Sequence, residues 1–300
     1  MSKREKESEL DDFQPVLSSM KKISDEFPQL YANNITYLDN AATALYSKSQ
    51  IDNVHQDLSS NLYCNPHTTG NFGKVRDVNE CVREMRHRIL RFFNTNDENY
   101  KVIFTSGATG ACKMIADSFP WHSRKNNSTF IYLDECHTSV VGMRELSDSS
   151  KVVNEKEVCQ DMFDGINTST NLFAYPAMSN FCGKKYPYQT WLELSKCNVD
   201  KERKWYVLLD AASYVSTNPL DLETCQPDFI CISFYKIFGY PTGIGALLVK
   251  CSSMDILTKK YFGGGTVDMS LVRRNFHIPR SSSLEGNCYY YKRYCYQFDI

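Results

Sequence analysis

FICISFYKIFGYPTGIGALLV, residues 229–249, sets one cation between two apolar runs. FICIS and IGALLV each have the length and composition of a buried strand, and Gly239, Pro241 and Gly243 between them are turn-formers. Lys236 stands where the first run ends, beside Tyr235, Ile237 and Phe238. An ammonium group there is either a snorkelling surface residue or a nucleophile that is useful because it is poorly solvated. The fold depends on whether this pattern of apolar run and polar cluster recurs.

It recurs along the chain. KVIFT leads into SGATG, TFIYL into DECH, NLFAYPAM into SN, KWYVLL into Asp210 and FICI into SFYK, and GIGALLVK closes the series. The rhythm predicts an α/β domain with a mostly parallel central sheet flanked by helices. Ligands of such sheets bind outside the carboxyl ends of the strands, and five of these six runs end in residues able to do chemistry. Residues 75–93 are predicted as an amphipathic helix, with Val75, Val78, Val82, Met85, Ile89, Phe92 and Phe93 on one face. Arg83, Arg86, Arg88 and Arg91 lie largely elsewhere and are read as a solvated face. Residues 1–35 read as an arm with one helix. NITYLDNAAT reads as a short strand entering a turn, and residues 145–170 as polar connection and surface. Past residue 265 the tyrosine-crowded SLEGNCYYYKRYCYQFDI shows no clean period.

The 300 residues carry 34 basic and 35 acidic side chains, so no basic excess points to nucleic acid or an anionic membrane. No run of 18 apolar residues exists to span a bilayer, and the start MSKREKESELDDF is too charged for a secretory leader. A cytoplasmic protein is expected. The 12 cysteines include no C-x-x-C and no zinc spacing, so reduced thiols and no metal are expected.

Each strand end has a plain reading beside a chemical one. TSGATGA, residues 105–111, is either a tight strand-to-helix turn or a phosphate cup, in which Ser106 and Thr109 add hydroxyls to helix-terminal amides. Asp210 is either a structural cap or the partner of a protonated ring nitrogen. His137 is a core histidine, a base or a flat ring stacked on another, and Asn180 is a turn residue or a donor. Taken in order, a cup, a histidine, an asparagine, an aspartate and a lysine match what a pyridoxal phosphate enzyme needs: an anion site, a ring-stacking face, a donor to the phenolic oxygen, a pyridinium partner and an amine for the aldehyde. Burial among Phe234, Tyr235 and Phe238 favours a neutral Lys236 on this reading.

From about residue 35 to about 268 the chain resembles the N-terminal, aminotransferase-like part of the eukaryotic molybdenum cofactor sulfurases, which is itself similar to bacterial cysteine desulfurases. The carrying motifs are YLDNAAT, NPHTTGNFG, FTSGATGACKMIADSFPW, DECHTSVVGMRE, AMSNFCGKKYP, LLDAASYVSTNPLDL, PDFICISFYKIFGYPTGIGALLV and YFGGGTV. The resemblance implies the type I fold of pyridoxal phosphate-dependent transferases with an incomplete small domain. It divides the chain into an arm (1–35), a large domain (36–268) and a divergent or truncated tail (269–300).

It also implies site roles. Lys236 resembles the Schiff-base lysine, and Ser233 and Thr109, with the amide of Ala108, the phosphate ligands. His137 resembles the ring-stacking and proton-moving histidine, Asp210 the pyridinium partner, and Asn180 the donor to the phenolic oxygen. Ser213 stands where desulfurases often carry glutamine, and Tyr235 where they usually carry histidine. The implied reaction removes sulfur from L-cysteine to leave L-alanine and passes it to the molybdenum cofactor of xanthine dehydrogenase- and aldehyde oxidase-type enzymes, in a homodimer.

LEGNC, residues 284–288, replaces the family's F-E-D-G-T stretch. The family's persulfide cysteine and substrate-binding arginine correspond to positions past residue 300, so a truncated chain is expected. Cys288 and Cys295 are either incidental or substitute sulfur acceptors. The alternatives are a catalytically incompetent chain of the same fold and a cysteine desulfurase serving another acceptor.

Overall fold

The computed structural model describes residues 23–63, 77–123, 126–164, 166, 170–197, 204–258 and 267–279. The helices that position the site are α1 (Lys48–Ser60), α2 (Val78–Phe92), α3 (Gly107–Ser118), the single turn α4 (Thr138–Val141), α5 (Tyr188–Lys196) and the single turn α6 (Phe234–Phe238). The strands are β1 (Tyr100–Thr105), β2 (His122–Ser123), β3 (Asn126–Leu133), β4 (Ser149–Val153), β5 (Thr170–Pro176), β6 (Lys204–Asp210), β7 (Phe229–Ser233) and β8 (Gly245–Lys250). A separate hairpin pairs β9 (Val267–Leu271) with β10 (Phe276–Pro279).

All six sequence-predicted runs are strands of one eight-stranded sheet, ordered β1-β8-β7-β6-β5-β3, with β2 and β4 both pairing with β3. β3, β4, β5, β6 and β7 are mutually parallel. β8 is antiparallel to both β7 and β1, so β1 runs with the parallel set and only β8 and β2 run against it. The carboxyl ends of β1, β3, β5, β6 and β7 therefore share one edge of the sheet.

Both faces of the sheet are covered, which is why β7 is buried at every position. Alternate residues go to opposite layers. Val102, Ile131, Phe173, Leu209, Ile230 and Leu248 join one core with Ile89 and Leu90 of α2 and Trp191 of α5. Ile103, Phe130, Leu172, Leu208, Cys231 and Leu247 join the other with Ala111, Cys112 and Ile115 of α3. Among the described residues no helix is long and apolar enough to cross a membrane.

Three local expectations change. Residues 35–38 form no strand, and Ile35 and Leu38 are exposed because no ladder partner covers them. Within 145–170, SSKVV becomes β4, an edge strand. Only its Val153 is buried, so its sequence is too polar to show a period. In α2 the buried stripe is narrower than predicted: Leu90 is buried, whereas Met85 is 46% and Phe92 66% exposed. Arg86 is drawn inward instead, its Nε–H donating to the Val102 carbonyl at 3.2 Å with its cation over the Phe104 ring. Val75 and the LEGNC stretch lie outside the described residues.

Candidate active site

The strand β1 ends in Thr105, and α3 starts two residues later. Gly107 makes that turn with φ +76°, and a Cβ on it would meet the Gly243 carbonyl at 3.1 Å and the Tyr235 ring at 3.3 Å. Ser106 sits at the N-cap of α3 without capping it through its side chain, so the first-turn amides are left to other acceptors. One is taken already: the Ala108 amide donates to Ser233 Oγ at 3.2 Å, joining α3 to the end of β7.

β3 ends before His137, which is the N-cap of α4. Its Nδ1 accepts the Ser139 amide at 3.2 Å and lies 3.0 Å from Ser139 Oγ. Ser139 Oγ is in turn 2.8 Å from Thr109 Oγ1 on α3. Asn180 follows β5 in a loop held by Ser179, whose hydroxyl donates to Glu135 at 3.0 Å and accepts the amides of Phe181 and Cys182. β6 ends in Asp210, whose Oδ1 accepts the Ala212 amide at 3.1 Å. Burial pushes the Asp210 carboxyl above its ordinary range, opposed by that amide and by the charges of Lys236 and His137.

These ends meet. Ala108, Thr109, His137, Asn180, Asp210, Ser233 and Lys236 line one narrow cleft. All seven sequence-predicted site residues are therefore brought together. Sequence reading missed Ser139, Cys112 and Ala212, which line the cleft too, and assigned no role to Ser213 and Tyr235, which also do. Cys112 carried a signal, since it lies one helical turn after Ala108. A hydroxyl two residues past a strand-end histidine is the signal for Ser139.

Cys112 Sγ lies 3.6 Å from Cys231 Sγ beneath the cleft, and that contact and burial hold the Cys231 thiol well above its ordinary pKa. The nine cysteines among the described residues are free thiols. No cluster of three or more metal-ligating side chains occurs among the described residues.

The expected aromatic wrapping of Lys236 is split. Gly239, at φ +72°, ends α6 where a Cβ would strike the Leu45 backbone. The short helix presents Tyr235 and Lys236 to the cleft, while Phe234, Ile237 and Phe238 line a separate apolar groove with Met85, Ile89 and Phe92. Phe238 is 56% exposed.

Residues 36–282 match the aminotransferase class-V family. The human molybdenum cofactor sulfurase is 45% identical over 263 residues, covering 82% of this chain and 29% of that protein. Molybdenum cofactor sulfurase 2 of Aedes aegypti is 42% identical over 270 residues, covering 85% and 34% respectively. The chain thus spans about a third of the length of these curated relatives. Among solved structures, the cysteine desulfurase CsdA of Escherichia coli superposes with a TM-score of 0.64 at 20% identity, covering 87% of this chain and 65% of that one. The cystine C-S lyase C-DES, in complex with its product cysteine persulfide, gives 0.64 at 14% identity, covering 91% and 68%. At these identities the structural likeness speaks for the fold.

Proposed function

The chain belongs to the class-V aminotransferase family, and on that premise we propose that it holds pyridoxal 5′-phosphate in the strand-end cleft and takes part in removing sulfur from L-cysteine. The observation that carries this reading is the convergence of seven side chains from five strand ends on one cleft. The residues fit the group. The first-turn amides of α3 lack a side-chain cap, and the hydroxyls of Thr109 and Ser233 stand beside them, a donor set suited to a phosphate. Burial raises the Asp210 carboxyl while nearby Lys236 and His137 act to lower it, so a further positive charge beside it would favour the carboxylate.

In this reading Ala108, Thr109 and Ser233 bind the phosphate. Asp210 would hold a proton on the ring nitrogen, Asn180 would donate to the phenolic oxygen, and His137 would stack on the ring. Bound pyridoxal phosphate supplies an aldehyde that condenses with amines and a ring that accepts electrons from a bond broken at the substrate α-carbon. Lys236 Nζ would be the amine that holds the aldehyde, and as a free amine it could move a proton at that carbon. Asn180 and His137 are exposed, so the cleft is open to solvent on their side.

The finer reading is that this stretch is the cysteine-handling part of a molybdenum cofactor sulfurase. It would work as a cytoplasmic homodimer and sulfurate the cofactor of xanthine dehydrogenase- and aldehyde oxidase-type enzymes. The names of the relatives at 45% and 42% identity support it. The test is to incubate the protein with pyridoxal phosphate, reduce with borohydride and map the modified peptide. Modification of Lys236 supports the reading, and labelling spread over other lysines refutes it.

A further inference from the structure

Ser139 carries more contacts than a helix cap requires. Its amide alone satisfies the cap, donating to His137 Nδ1 at 3.2 Å. Its hydroxyl lies between two further groups, 3.0 Å from His137 Nδ1 and 2.8 Å from Thr109 Oγ1. His137 and Thr109 are exposed, so burial does not force this arrangement. We infer that Ser139 is a positioning residue that fixes His137 as the tautomer protonated on Nε2 and links the ring to the hydroxyl of Thr109.

A backbone amide can only donate, so the nitrogen that accepts it bears a lone pair, and the proton of a neutral imidazole is then on Nε2. His137 therefore offers the cleft an N–H, and from that nitrogen it gives a hydrogen bond before it can take a proton. Ser139 Oγ has a single proton to place. Given to Nδ1, it leaves Ser139 Oγ as acceptor for the Thr109 proton. Given to Thr109 Oγ1, it frees the Thr109 proton for a third partner. An anion at the start of α3 is such a partner, and it draws the Thr109 proton toward itself. Ser139 then turns its own proton to Thr109, and Nδ1 keeps only the amide. Occupancy of the anion site is thus reported to the histidine through one hydroxyl. The functional meaning of this link rests on the proposed cofactor reading; the tautomer and the relay do not.

The test is nuclear magnetic resonance of the full chain labelled with ¹⁵N-histidine, without cofactor, with His137 assigned by its loss in His137→Gln. The wild type should show an unprotonated Nδ1 and a protonated Nε2. Ser139→Pro, which removes both donors at a first-turn position whose amide has no intrahelical backbone acceptor, should convert this to a mixture of tautomers. Inorganic phosphate, the anion probe, should move the Nδ1 resonance of the wild type. That response should be lost in Ser139→Ala and restored in Ser139→Thr, with backbone amide spectra checking the fold of each variant.

A wild-type Nδ1–H tautomer overturns the proposal. An equal phosphate response in wild type and Ser139→Ala overturns the relay, because the anion then acts on the ring through space. Pyridoxal phosphate loading, followed separately by absorbance, decides the cofactor reading. Failure there with an intact tautomer result sinks only that reading.

Discussion

The one-turn helix α6 separates two cavities of opposite character. On one side Tyr235 and Lys236 face the strand-end cleft; on the other Phe234, Ile237 and Phe238, spaced i, i+3, i+4, face the groove against α2. The groove is the larger, with about 870 Å³ of empty space against about 360 Å³. Yet apart from Arg88 its lining is apolar or aromatic, so it has little with which to hold an anion or move a proton. The cleft is small and crowded with donors. Size marks where side chains fail to meet, whereas chemistry marks where strand ends do. The sheet supplies the cleft because five parallel strands end on one edge, and that edge gathers their loops.

The sharpest way to break the contrast is at Lys236. Lys236→Ala should abolish the borohydride-fixed pyridoxal phosphate adduct completely, whereas Phe238→Ala, two residues on and facing the groove, should retain it. Peptide mapping by mass spectrometry reads both. An adduct that persists unchanged in Lys236→Ala would place the cofactor elsewhere.

Next in size is the turn that brings α3 against α6. Gly107→Ala puts a Cβ at φ +76°, tight against the Gly243 carbonyl and the Tyr235 ring. A loss of about 1–3 kcal/mol is expected from the backbone strain, measured by urea unfolding. A neutral result would mean the turn relaxes easily.

Asp210→Asn should separate stability from function. The wild-type carboxyl binds its proton more tightly in the folded chain than at its ordinary value of 3.8. Wild-type stability therefore falls as pH rises from 3.8 through the raised folded value, then levels off. Asparagine carries no such penalty. The variant should therefore have a higher Tm than wild type at neutral pH. The gain should vanish below the ordinary carboxylate range, while cofactor-dependent proton exchange at the substrate α-carbon slows. A gain that persists unchanged at low pH would trace it to something other than the carboxylate.

The smallest effect belongs to the groove. Phe92 is 66% exposed and touches Phe93 edge-on with ring centroids 5.0 Å apart. Phe92→Ala should cost about 0.5 kcal/mol or less, as at most exposed positions, and leave cofactor labelling intact. Loss of labelling would show that groove and cleft are not independent.

The strand runs were legible because burial on both faces of a sheet demands near-continuous apolar stretches, and FICIS and NLFAYP have them. SSKVV was not legible, because an edge strand with one buried valine looks like any polar connection. Met85 and Phe92 fit the helical period, yet the structure leaves them exposed, since a period names a face and says nothing about what covers it.

By itself, the sequence determined the order of the six principal strands, the α/β class, and the residues at or just past their ends: Thr109 after β1, His137 after β3, Asn180 after β5, Asp210 on β6, and Ser233 and Lys236 at β7. These are local properties, written in runs, turns and periods a few residues long. The tertiary structure alone decided that β8 runs against its neighbours and so returns β1 to the parallel set. It also decided that α6 turns its aromatic residues away from Lys236, and that Ser139 stands between His137 and Thr109, 30 residues distant in sequence. Those outcomes depend on the direction in which distant strands pair, and pairing direction is set by contacts between segments that no local pattern joins.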